Sequence, residues 1–276
     1  MKKFMKTCGI SAAVMIVAGL VMVLIAGAVK GPEVLGALGN YALNTIEKLD
    51  SDGHFDLDDV MNMESEVPVL VGSAAQTYTA TEIVKLDAEV GACQLSILPS
   101  EDQNLHVHTE GIGSYQGYVE DGTLHLNAMS SAGEIKLFVP ADFYFEEVKL
   151  SIGAGAISGS SSWETGTLEV ELAAGEVKLS NVEVGSLNAE VGAGAMAYEG
   201  SILKEADVEC GMGEINLKLD DSQADYNYDV EVAAGEVTIG SESFGGIAGE
   251  RNINNNAAKN INVECAMGSI EVAFAN

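Results

Sequence analysis

From about residue 83 onward, apolar and polar residues alternate along the chain with a period of two. In "TLEVELAAGEVKLS" (167–180), Leu168, Val170 and Leu172 face one way, and Glu169 and Glu171 face the other. After Ala-Ala-Gly, Val177 and Leu179 resume the apolar side. Such alternation marks a strand with one buried face, and the small-residue break marks a tight corner. The unit therefore reads as strand, corner, strand.

The unit recurs. The corner glycines Gly133, Gly155, Gly175, Gly194, Gly213, Gly235 and Gly268 follow at steps of 22, 20, 19, 19, 22 and 33 residues. "VGACQLSI" (90–97) fits the same frame with Cys93 in the glycine slot, and Gly113 falls midway between Cys93 and Gly133. The 33-residue step holds "FGGIAGERNINNNAAKN" (244–260), which reads as a loop. A fixed period near 20 predicts stacking: one rung cannot bury its apolar face alone, whereas rungs about 4.8 Å apart share one core. The expected fold class is all-β, a β-solenoid. We read it as a right-handed parallel β-helix with rungs of about 20 residues, about nine of them making a rod of about 40 Å. Glycine is expected at each corner for backbone freedom and close stacking. An antiparallel sandwich is the competing architecture, but it gives no reason for the corner sequence to repeat.

The segment before the repeats differs. Residues 8–29 form a run of 22 uncharged residues. As a helix the run spans about 33 Å, enough to cross a bilayer core of about 30 Å. Lys2, Lys3 and Lys6 precede it, so the positive-inside rule keeps the N-terminus in the cytoplasm and sends the body outside. "AGA" at 26–28 offers the alternative of a cleaved signal peptide, which also exports the body. Cys8 lies ahead of the apolar run, so no lipobox is present. After Pro32, Val34, Leu35, Leu38, Tyr41, Ala42, Thr45, Ile46 and Leu49 keep helical spacing. The organisation expected is an anchor over 1–30, a juxtamembrane helix and acidic linker over 31–80, and the solenoid over 81–276.

Charge narrows the partners. The net charge is −29, and Lys2, Lys3, Lys6 and Lys30 stand in a segment without acids. The remainder sets 9 of the 13 basic residues against all 42 acidic ones. Such a body repels phosphate backbones, which excludes nucleic acid, and it favours cations and cationic peptides.

Four groups of residues are candidates for chemistry. Asp50, Asp52, Asp56 and Asp59 in "DSDGHFDLDD" resemble a calcium loop, although Lys48 fills its first ligand position and the twelfth is Asp rather than Glu. The competing reading is an acidic, solvated linker. Glu89, Glu171, Glu190, Glu209, Glu231 and Glu264 each precede the last inward residue before a corner. In a stack they would form a column that a divalent cation could bridge, or a solvated face that keeps the rod soluble. Glu134, Glu176, Glu214 and Glu236 follow the corner glycine, with Lys136, Lys178 and Lys218 two or four residues beyond to offset them. His106, His108 and His125 would make a zinc site if they met, but they alternate with Leu105, Val107, Leu124 and Leu126, which turns them toward water. Cys8, Cys93, Cys210 and Cys265 match no zinc spacing and read as small hydrophobes. Acid pairs occur on nearly every rung, Arg251 is the only arginine, and no Gly-x-Ser-x-Gly elbow is present. Nothing here selects an enzyme, so no catalytic residue and no cofactor is assigned.

The corners "LAAGEV", "VGAGAM" and "CGMGEI", together with the Lys-rich start and apolar run, resemble a bacterial family of membrane-anchored β-solenoid repeat proteins. That family includes adhesin-like domains and domains of unknown function, with relatives in Gram-positive envelope-stress operons and among head-GIN adhesins. The resemblance covers the anchor and residues 83–276. It implies a β-solenoid at the cell surface and carries over no catalytic residues. The function expected is a non-catalytic adhesin-like or interaction module with a protein, cationic-peptide or glycan partner. An accessory envelope-stress sensor is the alternative, and a carbohydrate-active β-helix enzyme is a distant third.

Overall fold

The alternation becomes strands wherever the computed structural model describes the chain, at residues 70–128, 132–245 and 249–275. The anchor at 8–29, the juxtamembrane helix and the Asp50, Asp52, Asp56 and Asp59 loop lie outside these residues. Among the described residues, no helix is long and apolar enough to cross a membrane.

Among the described residues, eighteen strands follow one another. The first nine are β1 (Leu70–Tyr78), β2 (Lys85–Val90), β3 (Gln94–Pro99), β4 (Leu105–Glu120), β5 (Thr123–Ala128), β6 (Glu134–Val139), β7 (Phe143–Ile152), β8 (Ala156–Gly159) and β9 (Trp163–Leu172). The rest are β10 (Glu176–Val191), β11 (Ala195–Cys210), β12 (Glu214–Leu219), β13 (Tyr226–Val232), β14 (Glu236–Ile239), β15 (Glu242–Gly245), β16 (Gly249–Ile253), β17 (Lys259–Cys265) and β18 (Ser269–Phe274). β1 lies within the span read as linker and pairs antiparallel with β4.

Strands before a corner pair with one another to form a first face, and strands after it form a second. On the first face the parallel order is β5, β2, β7, β9, β10, β11, β17, β13. On the second face it is β6, β3, β8, β10, β11, β12, β18, β14. A short third face joins Phe143–Phe145 of β7 to Trp163–Thr165, Val182–Val184 and Gly200–Ile202. β10 and β11 run unbroken from the second face through the third to the first, with register shifts around Asn181 and Gly185.

Three expectations are corrected. First, rungs do not stack in chain order. The first rung, β2–β3, lies between the β5–β6 and β7–β8 rungs. The last rung, β17–β18, is inserted between β11–β12 and β13–β14. Eight parallel rungs result, rather than nine. Second, Gly113 is no corner. It lies inside β4, which runs antiparallel to β6 and β5 and closes that end of the stack. Third, the Gly/Asn-rich segment is not all loop. β15 and β16 pair antiparallel with β14 and β13 and close the other end. Phe244 and Ile253 pack against the core there. Both caps remove the bare parallel edges that would otherwise invite another chain.

The core is the inward-facing half of each strand, from Leu86, Ala88 and Val90 to Ile270 and Val272. The lone tryptophan, Trp163, is 1% exposed and meets Phe145 edge to face with ring centroids 5.9 Å apart. The corner glycines serve close approach rather than unusual dihedrals, since of the seven only Gly133 has positive φ. The carbonyl of Gly155 accepts the N–H of Glu176 at 3.0 Å, that of Gly175 accepts Ala195, and that of Gly194 accepts Glu214. A Cβ at Gly175, Gly194 or Gly213 would overlap the carbonyl oxygen of the neighbouring rung. At these three corners a larger residue would force the rungs apart, whereas on the first rung Cys93 takes the slot and its carbonyl accepts the N–H of Ala156 at 3.0 Å.

Candidate functional site

The corners line up as a ridge with a shallow groove of about 820 Å³ along it. Its floor is Ala174, Ala193 and Ala234 with the corner glycines, and the exposed Met212 and Met267 stand side by side within it. The side chains flanking the ridge decide its character.

On the first face, Glu171, Glu190, Glu209, Glu264, Glu231 and Glu250 are consecutive register partners. The expected column therefore exists. Inserting β17 brings Glu264 between Glu209 and Glu231, and the cap adds Glu250. Glu89 is set apart, because Ser151 stands between it and Glu171. At a spacing of about 4.8 Å, two carboxylates repel by roughly 1 kcal/mol in water and about 3.5 kcal/mol at an effective dielectric of 20. Lys149 relieves the head of the column, at 3.2 Å from Glu171 and 3.3 Å from Glu169. No ion pair among the described residues reaches Glu190 or Glu209. Burial pushes the Glu209 carboxyl up to about 7, with Glu264, Glu190 and Asp207 adding to the effect. Glu190 is also pushed up, by burial first and Glu171 second. It keeps exposed surface, so the burial is partial and the crowding by Glu171 adds to it.

Neighbouring columns avoid this repulsion. Two residues back, Glu169, Asn188, Asp207, Asn262, Asp229 and Asn252 alternate acid with amide. Asn262 donates to Asp207 at 2.6 Å. Beyond the corner, Glu176, Ala195, Glu214, Ser269 and Glu236 alternate acid with a small residue, so charges stand two rungs apart. Lys136 pairs with Glu134 at 3.1 Å and Lys178 with Glu176 at 2.6 Å. Lys218 instead pairs with Glu199 on the next rung.

The other candidates disperse. His106 and His108 lie on the second-face part of β4 and His125 lies on first-face β5, so no zinc triad forms. His106 bonds Asp102 and Thr77, His125 bonds Asp87 and stacks on Tyr118, and His108 meets Phe138 edge-on. Among the described residues, no three His, Cys, Asp or Glu side chains converge to hold a metal ion. Glu171, Glu190, Glu209 and Glu231 make a line rather than a cage. Cys93, Cys210 and Cys265 are free and buried, as their reading as small hydrophobes requires. Sequence reasoning missed Glu250, which lies in the segment read as loop, and the pair Met212 and Met267, which takes the middle position of two corners otherwise filled by Ala.

Residues 83–275 match the sequence model of the family described as Toastrack DUF4097, well over half of the chain. The chain belongs to this family. A Toastrack domain accounts for the whole solenoid apart from β1. Solved structures similar to this Toastrack chain include a putative cell adhesion protein from Clostridium sporogenes. It is 14% identical with a TM-score of 0.38, over 73% of this chain and 99% of the other. A putative adhesin from Bacteroides fragilis is 16% identical with a TM-score of 0.38, over 75% of this chain and 98% of its own. Another from Parabacteroides merdae is 13% identical with a TM-score of 0.37, over 73% and 96%. Among curated proteins none matches.

Proposed function

We propose that this Toastrack chain is a non-catalytic, adhesin-like interaction module, held outside the cytoplasmic membrane by residues 8–29 and engaging its partner along the corner ridge. The observation that carries the reading is the run of six in-register carboxylates beside a groove floored by small side chains. Stacked like charges cost stability, and a cationic partner repays that cost on binding. The small floor lets an extended segment lie close to the backbone. A basic peptide or a basic protein segment fits this chemistry. With a cationic antimicrobial peptide as ligand, the same groove would serve an accessory envelope-stress sensor. Calcium bridging along the column is the simplest competitor for it.

A second reading rests on a depression of about 530 Å³ on the second face, bordered by Ser158, Ser160, Ser180 and Asn216. Its hydroxyl and amide groups suit a neutral glycan. The deciding experiment measures binding of the full-length protein to a lysine-rich peptide and to neutral wall glycans at low and high ionic strength. The ridge reading expects salt-sensitive peptide binding, lost in the combined variant Glu190→Gln, Glu209→Gln, Glu264→Gln. Peptide binding that ignores these changes would sink it. Salt-insensitive glycan binding lost on Ser158→Ala with Ser180→Ala would move the site to the second face.

A further inference from the structure

Cys210 ends the first-face segment of β11, and Cys265 ends β17, the strand inserted from the end of the chain. The two are direct register partners. Each is 3% exposed, and both thiols are free. In-register neighbours in a parallel pair stand about 4.8 Å apart, inside the span of about 4.4–6.8 Å between Cα atoms that a disulfide accepts. Their sulfurs sit beneath the next corner. A Cβ on Gly268 would come within 2.5 Å of Cys210 Sγ, and Cys265 Sγ lies 3.1 Å from the Gly268 carbonyl. The nearness of the two thiols pushes Cys210 up and Cys265 down. Cys93 has no such neighbour. Its thiol faces the Ala128 carbonyl at 3.5 Å, and burial pushes it up to about 11.

We propose that Cys210 and Cys265 are a disulfide-forming pair that locks the inserted last rung into the stack. The oxidant is a low-molecular-weight disulfide. With β17 unseated, the Cys265 thiolate attacks one sulfur of that disulfide, which forms a mixed disulfide and releases one small thiol. Reseating β17 brings Cys210 alongside. Its thiolate attacks Cys265 Sγ, the Cys210–Cys265 bond forms, and the second small thiol leaves. The protein thiols lose two electrons and two protons, and the small disulfide carries them away as two thiols. In-register pairing requires β17 to be in place, so the bond records insertion. Gly213 and Gly268, without Cβ atoms, let the two corners draw together the fraction of an ångström that the shorter Cβ separation of a disulfide demands.

The test incubates the full-length protein with oxidised glutathione, alkylates remaining thiols in denaturant, and maps the peptides by mass spectrometry. The expected result is a linked Cys210–Cys265 peptide pair with Cys93 alkylated. The unfolding midpoint should rise over that of the reduced protein and return when dithiothreitol is added. Cys93→Ala should behave identically, and Cys265→Ala should show neither the linkage nor the rise. Comparing oxidised with reduced wild type keeps the test valid if Cys265→Ala folds poorly. Alkylation of both Cys210 and Cys265 after oxidation, or linkage of either to Cys93 or only to a second chain, would overturn the proposal.

Discussion

The stacked glutamates give the fold a pH dependence opposite to that of an ordinary acidic protein. The Glu209 carboxyl rises from 4.5 to about 7 in the folded state, through burial first and then Glu264, Glu190 and Asp207. A raised carboxyl means that the folded state binds the proton more tightly. Its stabilising contribution is complete below pH 4.5 and is lost as pH rises through about 7. At 1.36 kcal/mol per pH unit the full effect is roughly 3 kcal/mol. Partial exposure and screening reduce that to about 1–2 kcal/mol. Urea unfolding of wild type and Glu209→Gln, at pH 5 and pH 8, measures it. The variant should match wild type at pH 5 and exceed it by about 1–2 kcal/mol at pH 8. The comparison at fixed pH matters because every other titrating group, the Cys210–Cys265 pair included, is then common to both proteins. Asp102 and Asp221, both held below their ordinary 3.8, act only at lower pH. Equal stabilities of variant and wild type at pH 8 would refute repulsion within the column.

Added salt should stabilise the wild type more than Glu209→Gln at pH 8, because only screening separates the remaining charges; thermal melts at increasing salt read this directly. Gly194→Ala should cost about 1–3 kcal/mol, since its Cβ would come within 2.5 Å of the Gly175 carbonyl oxygen and 2.9 Å of the Leu172 side chain. Gly249→Ala, which meets nothing within 4 Å, should be neutral in the same urea titration. Ending the chain after residue 258 removes β17 and β18 and leaves the β11–β12 and β13–β14 rungs without their shared neighbour. Circular dichroism should show loss of the cooperative transition, and an unchanged transition would mean that those rungs close on each other.

Strands and corners were legible because the physics that makes them is local. Leu168, Val170 and Leu172 can face one core only as a strand, and Gly175 is dictated by the carbonyl of the rung beside it. Gly113 misled because it meets the small-x-Gly spacing through Gly111, but Ile112 fills the middle slot and Tyr115 stands where the next strand's aliphatic residue or Met would follow. Rung order was illegible for the reason that rungs were recognisable at all. "LAAGEV" and "VAAGEV" present the same edge, so any rung can pair with any other, and the choice falls to hairpins and caps whose sequences carry no period. The long step between Gly235 and Gly268 was the available sign. The acidic column was visible as a set, but its sequence in space, and with it the contact of Glu209 with Glu264, depended on that order.

The inserted last rung bears on how the molecule is made. As the chain is synthesised, β13 and β14 emerge before β17 and β18 exist. The pairing edge of β11 and β12 is then free and matches them. Docking there at once would fill the place that β17 and β18 take. The final shape is therefore not reached by adding layers as they appear. Strands β17 and β18 finish the inside of the stack, and the layer that preceded them in the chain must wait or give way. At the other end the first rung is overlaid on both sides by later ones. The earliest and the latest of the parallel rungs in the sequence both lie inside the stack, so a ribosome delivers the pieces in an order different from that in which they stand.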